Sequence, residues 1–200
     1  MRIARTTLLT AAALWSTAVL GAQPRLTQQD AARFQAKLAQ IEAYANAPSR
    51  SARGQTTQLT DSEVNSYLRF ETAAQVPVGI QEPVLNALGN GRVSGRAVVD
   101  LDVVRNQKAR SWTDPLGYLS GRLPVTAAGT LTTNNGTGRF QLESAEISGV
   151  TIPKFVLQEL LSYYSRTPDT PNGINMDDPF ELPARIREIK VGAGSATVIQ

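Results

Sequence analysis

The sequence predicts an α+β fold: a long, curved antiparallel β-meander sheet with helices packed on its apolar face. Three observations carry that expectation. Residues 83–147 alternate apolar and polar side chains in four segments, the period of strands that keep one face in a core. Two joints in this stretch are Asn-Gly pairs, Asn90-Gly91 and Asn135-Gly136, the dipeptide best suited to a two-residue hairpin turn. Helical spacing with capping signals flanks it, at residues 27–45, 60–70 and 153–165.

In chain order, residues 1–22 read as a secretory leader. Arg2 and Arg5 supply a charged start, and the 13 residues 8–20 form an apolar run, too short for a spanning helix of about 20 residues. The small residues Gly21 and Ala22 suit cleavage, so the mature chain is expected to start near Gln23, in the periplasm or outside the cell, with no transmembrane segment. The chain has no cysteine, which removes disulfides and a lipid-anchoring thiol and leaves core burial to hold the fold.

Residues 23–58 are expected to form an N-terminal helix and a linker, and 59–200 a single domain. Thr27 and Asp30 stand at a helix start, and Phe34, Leu38, Ile41 and Ala45 repeat at helical spacing. Residues 46–58 are polar and small, a linker composition. Thr60 and Glu63 then fit a capping box, with Leu59 and Val64 as its hydrophobic staple.

With Asn90-Gly91 as a type I′ turn, Gly89 faces Arg92, Leu88 faces Val93, Asn86 faces Gly95 and Val84 faces Ala97. The second strand continues inward through Val93, Gly95, Ala97, Val99, Leu101 and Val103. Run to Val104, it would span roughly 40 Å. The Asn135-Gly136 turn pairs Leu131 with Phe140, Gly129 with Leu142 and Ala127 with Ser144. That pattern fails at Val125 opposite Glu146, so the strand is expected to end or bulge near Ala145, and a bulge returns Ile147 to the inner face.

Residues 112–120, with Pro115 and Gly117, are expected to form a turn or a short helical piece between the hairpins. Pro153 suits a helix start, followed by Phe155, Val156, Leu160, Leu161 and Tyr164. A polar loop at 166–179 and a final hairpin at 186–199 close the chain.

Charge excludes one function class. Removing Arg2 and Arg5 from the 20 Lys and Arg leaves 18 bases against 17 acids, so the mature chain is near neutral and lacks the basic patch that nucleic acid requires. The chain has no histidine, which with the missing cysteine excludes the Ser-His-Asp and thiol mechanisms and most zinc sites. No phosphate-binding glycine loop occurs, no Ser-Lys pair is placed for catalysis, and the expectation is a non-enzyme with no cofactor and no metal. Asp100 and Asp102 would lie about 6–7 Å apart on one strand face, a separation that a glycosidase pair uses and that a solvated face also explains. Asn175, Asp177 and Asp178 offer calcium-type oxygens in a loop, a composition polar loops share. The sequon at Asn135-Gly136-Thr137 is accounted for by its turn.

The apolar face therefore remains as the candidate site, a groove lined by Val93, Ala97, Val99, Leu101, Leu123, Val125, Leu131, Phe140 and Leu142 from strands and Phe155, Val156 and Leu160 from a helix. Small residues, Gly95, Ala97, Ala127 and Gly129, leave room above the sheet. The two helical segments at 27–45 and 153–165 are long enough to fill it; otherwise it forms an elongated cleft for an acyl chain or another apolar small molecule.

Leu59-Thr-Asp-Ser-Glu-Val-Asn-Ser-Tyr-Leu68, Gly91-Arg-Val-Ser-Gly95, Leu123-Pro-Val-Thr-Ala-Ala-Gly-Thr-Leu131, Gly138-Arg-Phe-Gln-Leu142, Gly149-Val-Thr-Ile-Pro153 and the hairpin after Leu182-Pro183 together resemble secreted bacterial domains of the tubular lipid-binding (TULIP-like) family. The resemblance implies a curved sheet around a helix, a lipid-filled interior and no catalytic residues. The alternative is a ligand-free structural or interaction protein, closed by its own helices, that recruits an envelope protein partner.

Overall fold

The computed structural model describes residues 25–48, 54–71, 79–106, 120–166, 168 and 170–200. The expected leader and, apart from Ser120, the expected turn at 112–120 lie outside them. The fold is α+β with two antiparallel sheets.

The larger sheet has six strands. β2 (Ile80–Gly89), β3 (Arg92–Asp100), β4 (Arg122–Asn134), β5 (Thr137–Ile147) and β6 (Val150–Thr151) follow in spatial order, and β7 (Phe180–Glu181) pairs with the start of β5. Both Asn-Gly turns form as the sequence implies. Asn90 and Gly91, and Asn135 and Gly136, all take positive φ, the conformation a type I′ turn demands at both central positions.

Register departs from expectation where a distant element intervenes. Gly89 faces Arg92, but Val93 faces Ala87 and Gly95 faces Leu85, one residue away from the simple hairpin pairing. Leu88 leaves the ladder as a bulge and bridges to Ala193 instead. In the second hairpin Leu131 faces Phe140 and Gly129 faces Leu142. The bulge falls at Glu143, two residues before Ala145, so Ala127 faces Ala145 and Val125 faces Ile147.

β3 stops at Asp100 and does not run to Val104. α3 (Leu101–Asn106) follows, because Asp100 Oδ1 accepts the Val103 N–H at 3.1 Å and so caps a helical turn, while Asp102 Oδ2 accepts the Gly121 N–H at 3.0 Å. Leu101, expected in the strand's apolar row, is instead the first residue of this helix and is buried, 5% exposed. Asp100 and Asp102 consequently do not share a strand face.

The second sheet, β1 (Thr56–Thr60), β9 (Ser195–Ile199) and β8 (Glu188–Gly192) in spatial order, was legible only as its C-terminal hairpin. β1 occupies the end of the polar stretch expected to be a linker and pairs with β9 across the length of the chain. α1 (Gln28–Asn46) covers this small sheet: Ile41 packs with Leu182, Ile186 and Val198 in the main buried cluster. α1 thus serves the three-stranded sheet rather than the long apolar face.

α2 (Asp61–Phe70) joins the two sheets. It opens with the capping box of Thr60 and Glu63. Asp61 accepts the Ala87 N–H at 3.1 Å, and Asn65 both donates to Leu85 O at 2.7 Å and accepts from Leu85 N–H at 2.8 Å. Residues i and i+4 of a helix thereby meet i and i+2 of an edge strand, so the free rim of β2 is paired without another strand. Asn65→Leu should expose that rim: a loss of about 1–3 kcal/mol in urea unfolding is expected, with a greater tendency to aggregate.

Glu63 is buried and accepts Lys37 Nζ from α1 on both oxygens at 2.7 Å, and the Thr60 N–H at 3.0 Å. Burial opposes its ionisation, but the Lys37 ammonium and the Thr60 amide prevail and hold its carboxyl below the ordinary range. The stability this contributes is full above the unfolded carboxyl pKa of about 4.3 and is lost as pH falls through the lower folded value. Glu63→Gln should cost about 1–3 kcal/mol near neutral pH. It should also flatten the acid limb of a stability-against-pH curve measured by urea unfolding.

Candidate functional site

Strand pairing places the expected apolar residues on one face. Val93 lies opposite Gly129, Gly95 opposite Ala127, Ala97 opposite Val125, and Val99 opposite Leu123. β5 extends the row with Phe140, Leu142, Ala145 and Ile147. Apart from Ala145, which is 3% exposed, these side chains are half-buried, whereas the fully enclosed cluster sits under α1.

Glycines on this face are occupied by neighbours. A Cβ at Gly129 would fall 2.5 Å from the Phe140 ring, one at Gly138 2.6 Å from the Phe180 ring, and one at Gly95 3.3 Å from Leu85 Cδ2. The rings therefore lie directly on the backbone at Gly129 and Gly138, and among the pairs of the row Ala97 and Ala127 carry the smallest side chains. Leu85, Ile147 and Phe180 belong to the surface, and of these sequence reading placed only Ile147 there. Phe180 sits alone after Pro179 in a polar stretch, with no periodicity to reveal it.

α4 (Lys154–Tyr164) packs against β5. Val156 is half-buried, but Phe155 is 72% exposed, as is the nearby Val150 at 65%. Leu160 lies on this helix, with a side chain outside the described set. Polar bonds tie α4 to the following loop: Gln158 Oε1 accepts the Met176 N–H at 2.8 Å, Ser165 Oγ accepts the Ile174 N–H at 2.6 Å, and Lys154 Nζ meets Asp177 at 2.5 Å. Between that loop and the sheet, Phe140, Ile174, Met176, Pro179 and Phe180 line a cavity of about 380 Å³.

The opposite face is polar. Glu143, on the bulge, accepts Thr130 Oγ1 at 2.5 Å and pairs with Arg92 at 2.9 Å; the Thr130 hydroxyl first, and then Arg92, hold its carboxyl below the ordinary range.

The loop oxygens considered for calcium are engaged within the chain. Asn175 Oδ1 accepts the Asp177 N–H at 3.1 Å, Asn175 Nδ2 donates to Asp178 at 3.0 Å, and Asp177 pairs with Lys154. Among the described residues no group of three or more His, Cys, Asp or Glu is placed to hold a metal ion, and no helix is long and apolar enough to cross a membrane.

No protein family and no curated protein matches the chain. Among solved structures, the chain is similar to the crystal structure of a lipopolysaccharide binding protein at 16% identity, over 72% of this chain, with a TM-score of 0.22. It spans only 40% of that protein's chain, and a likeness of this size carries no argument.

The Gly138–Phe180 contact is testable. Gly138→Ala should destabilise the protein by about 1–3 kcal/mol, because the new methyl must displace the ring. In a background of Phe180→Ala the same substitution should cost much less, and a double-mutant cycle by urea unfolding measures that coupling.

Proposed function

We propose that the protein is a lipid-binding or lipid-transfer module of the periplasm or the extracellular space, of the tubular lipid-binding type, holding acyl chains against the apolar face of the six-stranded sheet. One observation carries this reading: the aliphatic row across β3, β4 and β5 remains half-exposed although α1 is committed elsewhere. A continuous apolar face of this kind is costly in water and marks a surface meant for an apolar partner. Ala97 and Ala127 put only methyl groups on this face, which leaves room for a methylene chain over the sheet, and α4 packs against β5. The leader read in residues 1–22 agrees with an envelope location, and no catalytic role is assigned to any residue.

Native mass spectrometry of the protein purified from bacterial envelopes is expected to show bound lipid, and a fluorescent acyl probe is expected to exchange into it. Ala97→Phe and Ala127→Phe, which raise the floor, should weaken probe binding about tenfold or more while leaving a folded protein by circular dichroism. Absence of bound lipid together with absence of probe uptake would sink the reading.

Exposure of Val150 and Phe155 favours a second reading, in which an envelope protein covers the same region. Crosslinking from position 155 in cells that captures one protein, with no lipid in the purified sample, would favour it over the first.

A further inference from the structure

A second cleft, of about 410 Å³, lies between α2 and the outer edge of β2. Its strand contribution includes Val84 and Arg96, which face one another across the β2–β3 ladder. Side chains alternate along a strand, so Arg96 projects to the side opposite Ala97 and Gly95. The volume falls within the range of about 300–1,000 Å³ typical of small-molecule sites.

The lining divides by chemistry. Leu26, Leu68, Ile80, Pro83 and Val84 form an apolar wall. Of the polar groups, Asn65 is committed to the Leu85 backbone and Gln81 to Arg122. Arg69 and Arg96 are not: among the described residues neither guanidinium has a hydrogen-bond or ion-pair partner, whereas Arg33, Arg92 and Arg122 are all paired. Glu82 is the one acid in the lining, so the cleft keeps an excess of positive charge.

The backbone is specialised at the same place. Glu82 and Pro83 form a bulge opposite Ala97, and Glu82 takes φ +49°, a conformation that costs a non-glycine residue on the order of 1 kcal/mol or more. The bulge bends β2 beside the cleft, and Pro83, which has no N–H to leave unpaired, suits that rim.

From the two free guanidinium groups above an apolar wall, we infer that this cleft binds a single-chain anionic amphiphile. The carboxylate or phosphate head takes the planar donors of Arg69 and Arg96, and the first methylenes lie on Leu68, Ile80 and Val84. Arginine suits this task because its fork matches both oxyanions.

Isothermal titration of the full chain with sodium decanoate, below its micelle concentration, tests the inference. Saturable binding is expected, with Arg69→Gln and Arg96→Gln each weakening it about tenfold. The neutral octyl glucoside and inorganic phosphate should both bind more weakly than decanoate. Unchanged decanoate affinity in both arginine variants overturns the inference, as does failure to saturate; phosphate binding as tightly as decanoate would reduce the cleft to a plain anion site and overturn it too. Methyl NMR of the unsubstituted protein keeps the test open if a variant misfolds: shifts at Leu68 and Val84 support the cleft, and shifts confined to Val125 and Ile147 overturn it. Ala127→Phe, on β4 and away from β2, should leave decanoate binding at the cleft intact, so failure here and failure of the groove reading are separable.

Discussion

The docking of two tight turns onto one strand organises the molecule. Gly91 N–H donates to Val191 O at 3.3 Å and Gly136 N–H to Arg187 O at 2.9 Å, so both Asn-Gly turns of the large sheet meet the backbone of β8 or the residue just before it. Between them Thr133 Oγ1 accepts the Ile189 N–H at 2.7 Å and donates to Ile189 O at 3.0 Å. Gly194 N–H donates to Ala87 O at 2.8 Å, beside the Leu88–Ala193 bridge. These bonds satisfy strand-edge groups of β8 that would otherwise need water, and they do so only if both turns lie at one end of the sheet. Two short hairpins, β2–β3 and β4–β5, with β3 antiparallel to β4 between them, meet that condition automatically.

That junction also explains which parts of the fold the sequence could disclose. Hairpin β4–β5 was legible as far as Leu142, because its turn and its apolar period are local and agree. Hairpin β2–β3 was legible in its turn but not in its register, since Leu88 is drawn out by Ala193, a residue more than a hundred positions away. β1 carries no apolar signal worth the name: Thr56-Thr-Gln-Leu-Thr60 becomes a strand because β9 is there to pair with it. The end of β3 did have a local sign, Asp100 as a helix cap, but the alternation through Leu101 and Val103 masked it. The candidate groove was readable for its strand residues, which obey a period of two, and unreadable for Leu85 and Phe180, whose places depend on a bulge and on a loop returning to β5.

Commitment of α1 has a consequence for the groove. Ile41 is enclosed with Leu182, Ile186 and Val198, Gln200 Nε2 donates to Ile41 O at 2.9 Å, and Lys37 is bound to Glu63. Moving α1 onto the long sheet would strip that cluster of its cover and separate a buried ion pair, a cost of several kcal/mol that burying the same side chains elsewhere would not recover. Of the two helices long enough to serve as lids, only α4 is therefore available, and it packs against β5 at one side of the face.

A face covered on one side has a thermodynamic signature that closed cores lack. Any apolar molecule that lies over Ala97 and Ala127 binds the folded sheet and has no equivalent site on the unfolded chain, so it stabilises the protein by an amount that rises with its concentration. At a hundredfold excess over its dissociation constant that gain is about 2.7 kcal/mol, a sizeable share of the roughly 5–15 kcal/mol that holds a domain together. Under the proposed lipid-binding role, with no disulfide to constrain the unfolded chain, ligand occupancy and stability are coupled through the same row of side chains.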